Sequence, residues 1–143
     1  MYSGQPEPST PGAAMPHIIA EYSANLEDRL DIDRLVNDLH QAAIETGIAE
    51  LVGIRTRAAR REHFRVADGN PGNGFVHITA RLRRGRTAEA RKTLGEKLLA
   101  AADRRLAEAY ATHGIGLTVE IHEIDPDMTF RRNTLRERAQ SAA

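Results

Sequence analysis

Two hydrophobic periods alternate along this chain in a fixed order. In HIIAEYS (17–23) the apolar residues Ile18, Ile19, Ala20 and Tyr22 crowd a short stretch of strand composition. From Ile32 to about Thr46 the period changes: Leu35, Val36, Leu39, Ala42 and Ala43 recur at helical spacing. Asp31 is placed to cap the first turn of that helix, and Gly47 to end it in the left-handed conformation. LVGIRTRA (51–58) reads as the next strand. After the glycine- and asparagine-rich loop ADGNPGNG the plan repeats. GFVHITARL (74–82) alternates Val76, Ile78, Ala80 and Leu82. A helix opened by Arg86 or Thr87 runs to about Thr112, with Leu94, Leu98, Ala101 and Leu106 as its inner stripe. Gly114 ends it, and GLTVEIHEI (116–124) alternates Leu117, Val119 and Ile121.

Each half therefore reads strand, helix, strand. A right-handed crossover makes the two strands of each half parallel and puts both helices on the same face. The expected fold is α/β (α+β): a tandem β-α-β repeat forming one four-stranded sheet with two helices on one face. The other face is left bare. It is expected to carry apolar residues and to be covered by other subunits, which predicts an oligomer.

The ends of the chain differ in composition from this repeat. Residues 1–14 hold three prolines, two glycines and two serines, with Tyr2 as their aromatic residue. Such a segment buries too little to offset the entropy of ordering it, so it is expected to be a disordered extension. The folded domain is expected over residues 15–135, with 136–143 as a flexible tail. Charge narrows the function. Twenty basic residues balance 20 acidic ones, and three tyrosines and three phenylalanines make a poor stacking platform. Both features argue against nucleic acid as a partner. No apolar run is long enough to span a bilayer, and the first residues lack the basic start and apolar centre of a secretory signal. There is no cysteine, hence no disulfide and no thiolate chemistry. The expected compartment is the cytoplasm.

Candidate chemistry is sparse apart from arginine. The sequence contains no Gly-x-Ser-x-Gly turn and no glycine-rich phosphate loop before a helix. Glu120 and His122 share a strand face, but no third ligand accompanies them, so no metal site is assigned. Arg55 and Arg57 alternate along one strand, and Arg81, Arg83, Arg84 and Arg86 crowd the end of another. Two readings stand side by side: a solvated basic edge that blocks stray strand pairing, or a pocket in which guanidinium forks bind carboxylates.

An ordered set of short motifs bears on that choice. MPHIIAEYS (15–23), TGI and GIRTRA around 46–58, VADG (66–69), FVHIT (75–79), GRT (85–87) and DPDMTFRRN (125–133) follow one another along the chain. In content, order and spacing they resemble the 5-carboxymethyl-2-hydroxymuconate Δ-isomerase family of the tautomerase superfamily. The resemblance implies a tautomerase-like fold, a homotrimer and no cofactor. The substrate would be a small hydroxy-dienoate with several carboxylates, taken up in aromatic-compound catabolism. Members of that superfamily use an N-terminal proline, freed of its initiator methionine, as a proton shuttle; carried over, the residue is Pro16. Arg55 and Arg86 match the family's substrate-binding arginines, one anchoring a carboxylate and the other the developing oxyanion. Arg57, Arg81, Arg83 and Arg84 keep the solvated-edge reading, and Arg60 and Arg61 are expected in a loop and given no role. The chemistry requires a free Pro16 amine, which makes Met15 the expected translation start. If Pro16 is never freed, the alternative is a non-catalytic trimeric protein of the same fold that binds small carboxylates.

Overall fold

Register between the strands is set by which residues each strand can bury. In β1 (His17–Ser23) Ile18, Ala20 and Tyr22 are buried, while His17, Ile19 and Glu21 on the opposite face are partly exposed. β3 (Asn73–Arg83) alternates in the same way, burying Val76, Ile78, Ala80 and Leu82. A slip of one residue would turn either set toward solvent. The sheet is completed by β2 (Arg55–Arg61) and β4 (Gly114–Ile124) in the order β2-β1-β3-β4. β1 pairs with β2 and β3 with β4 in parallel, and β1 with β3 antiparallel. This is the expected doubled β-α-β plan, in a computed structural model that describes residues 16–142. The extension 1–14 and the expected start at Met15 lie outside the described residues.

The crossovers are α1 (Ile32–Thr46) and α2 (Ala88–Arg105), which pack on each other and on the sheet. The Asp31 carboxylate accepts the Arg34 N–H at 3.1 Å, and Gly47 closes α1 at φ 67°. Thr87 Oγ1 accepts the Ala90 N–H at 3.0 Å to start α2. Leu35 and Leu39 from α1 meet Leu94 and Leu98 from α2 in one core with the buried strand residues. Arg105 ties the helices together at the surface, its Nε and Nη2 donating to Asp38 at 2.6 and 3.3 Å. Among the described residues, no helix is long and apolar enough to cross a membrane.

Four expectations need correction. The second strand begins at Arg55, not at residue 51, because Leu51–Gly53 forms a 3₁₀ turn. It extends to Arg61, so Arg60 and Arg61 are strand residues, paired with Glu27 (2.9 Å) and Glu21 (2.6 Å). α2 stops at Arg105 and not near Thr112. The chain leaves the helix at Leu106 and passes through a 3₁₀ turn (Ala109–Ala111), with Leu106 and Ala109 both buried in the core. The stretch expected as a flexible tail from residue 136 belongs to a helix, α3 (Leu135–Ala142), whose Arg136 pairs with Glu50. The fourth correction concerns the bare face, which is polar. Across it run the rows Arg55, His17, Arg81, His122 and Arg57, Ile19, Thr79, Glu120, then Ala59, Glu21, His77, Thr118. Most apolar residues of β3 and β4 take the helix side, with Phe75 and Ile124 at the two ends of the bare face, and of the two isoleucines in β1 only Ile19 points toward it.

Gly74 shows how closely the 3₁₀ turn after β1 approaches the sheet. A Cβ there would lie 2.7 Å from Leu26 Cδ2 and 2.8 Å from Ser23 Oγ, whereas one at Gly116 would meet nothing within 4 Å. Gly74→Ala should therefore destabilise the fold by about 1–3 kcal/mol through overpacking, while Gly116→Ala should cost less than about 0.5 kcal/mol. Urea unfolding of the two variants checks the difference, and equal stabilities would contradict the close approach.

Candidate active site

Strand direction collects four chain segments at one end of the sheet. β1 and β2 begin there, and β3 and β4 end there, because the first pair is antiparallel to the second. Pro16 immediately precedes β1, is fully buried, and continues the helix-facing column of Ile18, Ala20 and Tyr22. Its carbonyl accepts the Arg55 N–H at 3.0 Å, so Pro16 and Arg55 are held side by side by the first rung of the β1–β2 ladder. The Arg55 side chain folds back, with Nη1 donating to the Gly53 carbonyl at 3.2 Å.

Arg86 enters the same end of the sheet from β3. Gly85, at φ 125°, makes the turn between that strand and α2. Arg86 Nε donates to the Ile48 carbonyl at 3.0 Å, in the connection between α1 and β2. The same connection is held from the C-terminal side, where Asn133 Nδ2 donates to the Val52 carbonyl at 3.4 Å. Burial, and then the neighbouring Arg83, disfavour the charged form of Arg86. An arginine remains protonated regardless, so this environment favours an anion beside it.

Just beyond lies a cleft walled by His17, Arg83, Ile124, Pro126, Thr129 and Arg131. It opens into a wider one that adds Asp127 and the exposed Phe130. Pro16, Arg55 and Arg86 do not line these clefts, although each lies within a few residues along the chain of one that does or of its strand neighbour. Two cleft arginines lie outside the expected site. Arg83, expected on the solvated edge, continues the bare-face column Thr79, Arg81 by strand alternation alone. Arg131 comes from the irregular segment after β4, which has no period to reveal it. Arg57 and Arg81 lie on the bare face with His17, as strand alternation required.

His17 and Glu120 report the electrostatics of that face. Burial lowers the His17 imidazole below its ordinary 6.5, and Arg57, Arg55 and Arg81 lower it further; Arg57 Nη1 is 3.2 Å from its Nδ1. The Glu120 carboxyl is lowered by its hydrogen bond with His122 (2.9 Å) and by the charge of His77. Among the described residues no cluster of three or more His, Asp or Glu is arranged to hold a metal.

The His17 shift carries a pH signature. Between the folded value and 6.5 the unfolded chain binds more protons than the folded one, so stability rises with pH across that window. His17→Gln should flatten this part of the stability curve, and Arg57→Gln should raise the His17 midpoint toward 6.5. Histidine NMR titration reads the midpoint directly, and a wild-type value at or above 6.5 would contradict the assignment.

Comparison with known proteins identifies the family. The sequence profile of the family described as 5-carboxymethyl-2-hydroxymuconate isomerase matches residues 16–139, beginning at Pro16. The 5-carboxymethyl-2-hydroxymuconate Delta-isomerase of Escherichia coli is 31% identical over 121 residues, covering 85% of this chain and 96% of that protein. The crystal structure of a 5-carboxymethyl-2-hydroxymuconate isomerase from Deinococcus radiodurans R1 superposes with a TM-score of 0.82 at 31% identity, covering 88% of this chain and 95% of that one. A fused 4-OT symmetric trimer, at 18% identity and a TM-score of 0.60, covers 82% of this chain and 93% of its own and shares the fold. The chain belongs to the 5-carboxymethyl-2-hydroxymuconate isomerase family.

Proposed function

We propose that this protein is a cytoplasmic, cofactor-independent isomerase of 5-carboxymethyl-2-hydroxymuconate-like dienoates, and that Pro16 carries the proton. The observation that carries the reading is the backbone rung that joins Pro16 to Arg55 at the sheet end which Arg86 also reaches. A hydroxy-dienoate gives up its enol proton, spreads the negative charge over a dienolate, and takes a proton back at carbon. Atoms and electrons balance within the substrate, so the reaction needs a base, an acid and charge stabilisation but no redox partner.

As a chain-terminal secondary amine, Pro16 would titrate near 8 or below, since a buried site beside arginines disfavours its cation. That brings it into the range where one group both accepts and returns a proton at neutral pH. Inside a peptide the same nitrogen is an amide whose lone pair is delocalised, and it cannot serve. In the 143-residue chain Pro16 follows Met15, so the mechanism requires that bond to be absent in the active protein. A chain that keeps it would bind carboxylates without turning them over, which is the second reading. Arg86, in a site that favours an anion beside it, stabilises the dienolate oxygen, and Arg55 anchors a carboxylate. A homotrimer is the proposed assembly, supported by the trimer of the fused 4-OT relative.

Protein beginning at Pro16 should ketonise 2-hydroxymuconate and 5-carboxymethyl-2-hydroxymuconate, followed by loss of the dienol absorbance. Pro16→Ala should reduce kcat by about 10²–10⁴-fold and Arg86→Ala by about 10²–10³-fold. Equal activity from the 143-residue chain, with its N-terminus shown intact by mass spectrometry, would sink the Pro16 mechanism.

A further inference from the structure

Most arginines near the sheet are spoken for: Arg84 by Asp125 at 3.6 Å, Arg91 by Glu123 at 3.5 Å, Arg61 by Glu21, and Arg57 by His17. Arg83 and Arg131 differ. Among the described residues neither guanidinium has a hydrogen-bond or ion-pair partner, yet both wall the same narrow cleft. The remaining walls are the apolar Ile124 and Pro126, with His17 and Thr129. The Thr129 hydroxyl is already committed, donating to the Asp125 carbonyl at 3.0 Å. Among the described residues no acidic side chain lines this inner cleft; Asp127 belongs to the wider outer one. Arg84 partly neutralises Asp125, and the Arg83 charge is felt at Arg86.

Two unpaired guanidinium groups against an apolar wall suit one kind of ligand group: a carboxylate on a short aliphatic arm. The methylene would rest on Ile124 and Pro126 while the two forks take the oxygens. We propose that Arg83 and Arg131 form a second anion-binding position, which takes the substrate carboxylate remote from the reacting dienol. This rests on the dienoate-isomerase reading above and extends it from Arg55 and Arg86 to substrate selection. The position makes the protein prefer a tricarboxylate over the dicarboxylate that lacks the arm. Arg83 is thereby a specificity residue, and the proton transfer stays with Pro16.

Two measurements test this. Calorimetry on the 143-residue chain uses tricarballylate and glutarate as stable probes with and without the third carboxylate. The wild type should bind tricarballylate about tenfold more tightly than glutarate. Arg83→Gln and Arg131→Gln should each cut that ratio below about threefold, while Arg61→Gln, at the far end of β2 from the cleft, should leave it. A wild type without the preference, or a preference that survives both substitutions, overturns the proposal. In protein beginning at Pro16, Arg83→Gln should raise KM for 5-carboxymethyl-2-hydroxymuconate about tenfold relative to that for 2-hydroxymuconate, mainly without a change in kcat. An equal effect on both substrates also overturns it. If the wild type turns over neither substrate, the isomerase reading fails, and the probe ratio alone decides the anion position. Arg131 is exposed and Arg83 half-buried, so thermal unfolding should be little changed and a folding defect is distinguishable.

Discussion

The antiparallel pairing of β1 with β3 is the constraint on which the rest of the molecule depends. Each half of the chain is a β-α-β unit that buries its helix against its own two strands. Joining the halves through their first strands, in opposite directions, produces one sheet with both helices on the same side. It also decides what meets at the sheet's ends. The starts of β1 and β2 lie beside the finishes of β3 and β4, so Pro16, Arg55, Arg83 and the segment after Ile124 converge although they are far apart in sequence. Parallel pairing of the central strands would have sent Arg83 and Arg86 to the opposite end of the sheet from Pro16.

Charge is distributed unevenly over this frame. The helix face of the sheet is filled by aliphatic side chains, and the bare face carries arginines, histidines and two glutamates that largely satisfy one another. Arg61 meets Glu21, and His122 and His77 meet Glu120. At the sheet end that mutual neutralisation fails. Arg86 is partly buried next to Arg83, and His17 is held neutral by burial and by three guanidinium groups. Such an excess of positive charge at low local dielectric is unfavourable for the empty protein and favourable for a bound polycarboxylate. A polycarboxylate bound there would offset that cost, the usual relation between an electrostatically unfavourable site and its ligand.

Pattern in the sequence carried far where it was periodic. The limits of β1 and α1 follow from strand composition, from the Leu35–Leu39 stripe and from the Asp31 and Gly47 caps, all of which act over a few residues. Pro16, Arg55 and Arg86 were singled out by resemblance, since nothing in the local pattern distinguishes a proline before a strand or an arginine on one. Errors arose where a local signal competed with tertiary burial. The alanine-rich run after Arg105 keeps helical spacing in its buried Leu106 and Ala109, so its periodicity gives no sign that the α-helix ends at Arg105. The bare face is more polar than expected because strand alternation turns only one of the adjacent Ile18 and Ile19 toward it.

The sequence by itself determined the alternation of strands and helices, the two crossovers, the absence of thiol chemistry and the family motifs, because each depends on residues close together in the chain. The tertiary structure alone decided which charges share a site. Arg83 and Arg131 are separated by a helix and a strand, and they meet only because β3 and β4 run parallel and end together. Whether a guanidinium is paired or left facing a cleft depends on distances through space, and no local period encodes those.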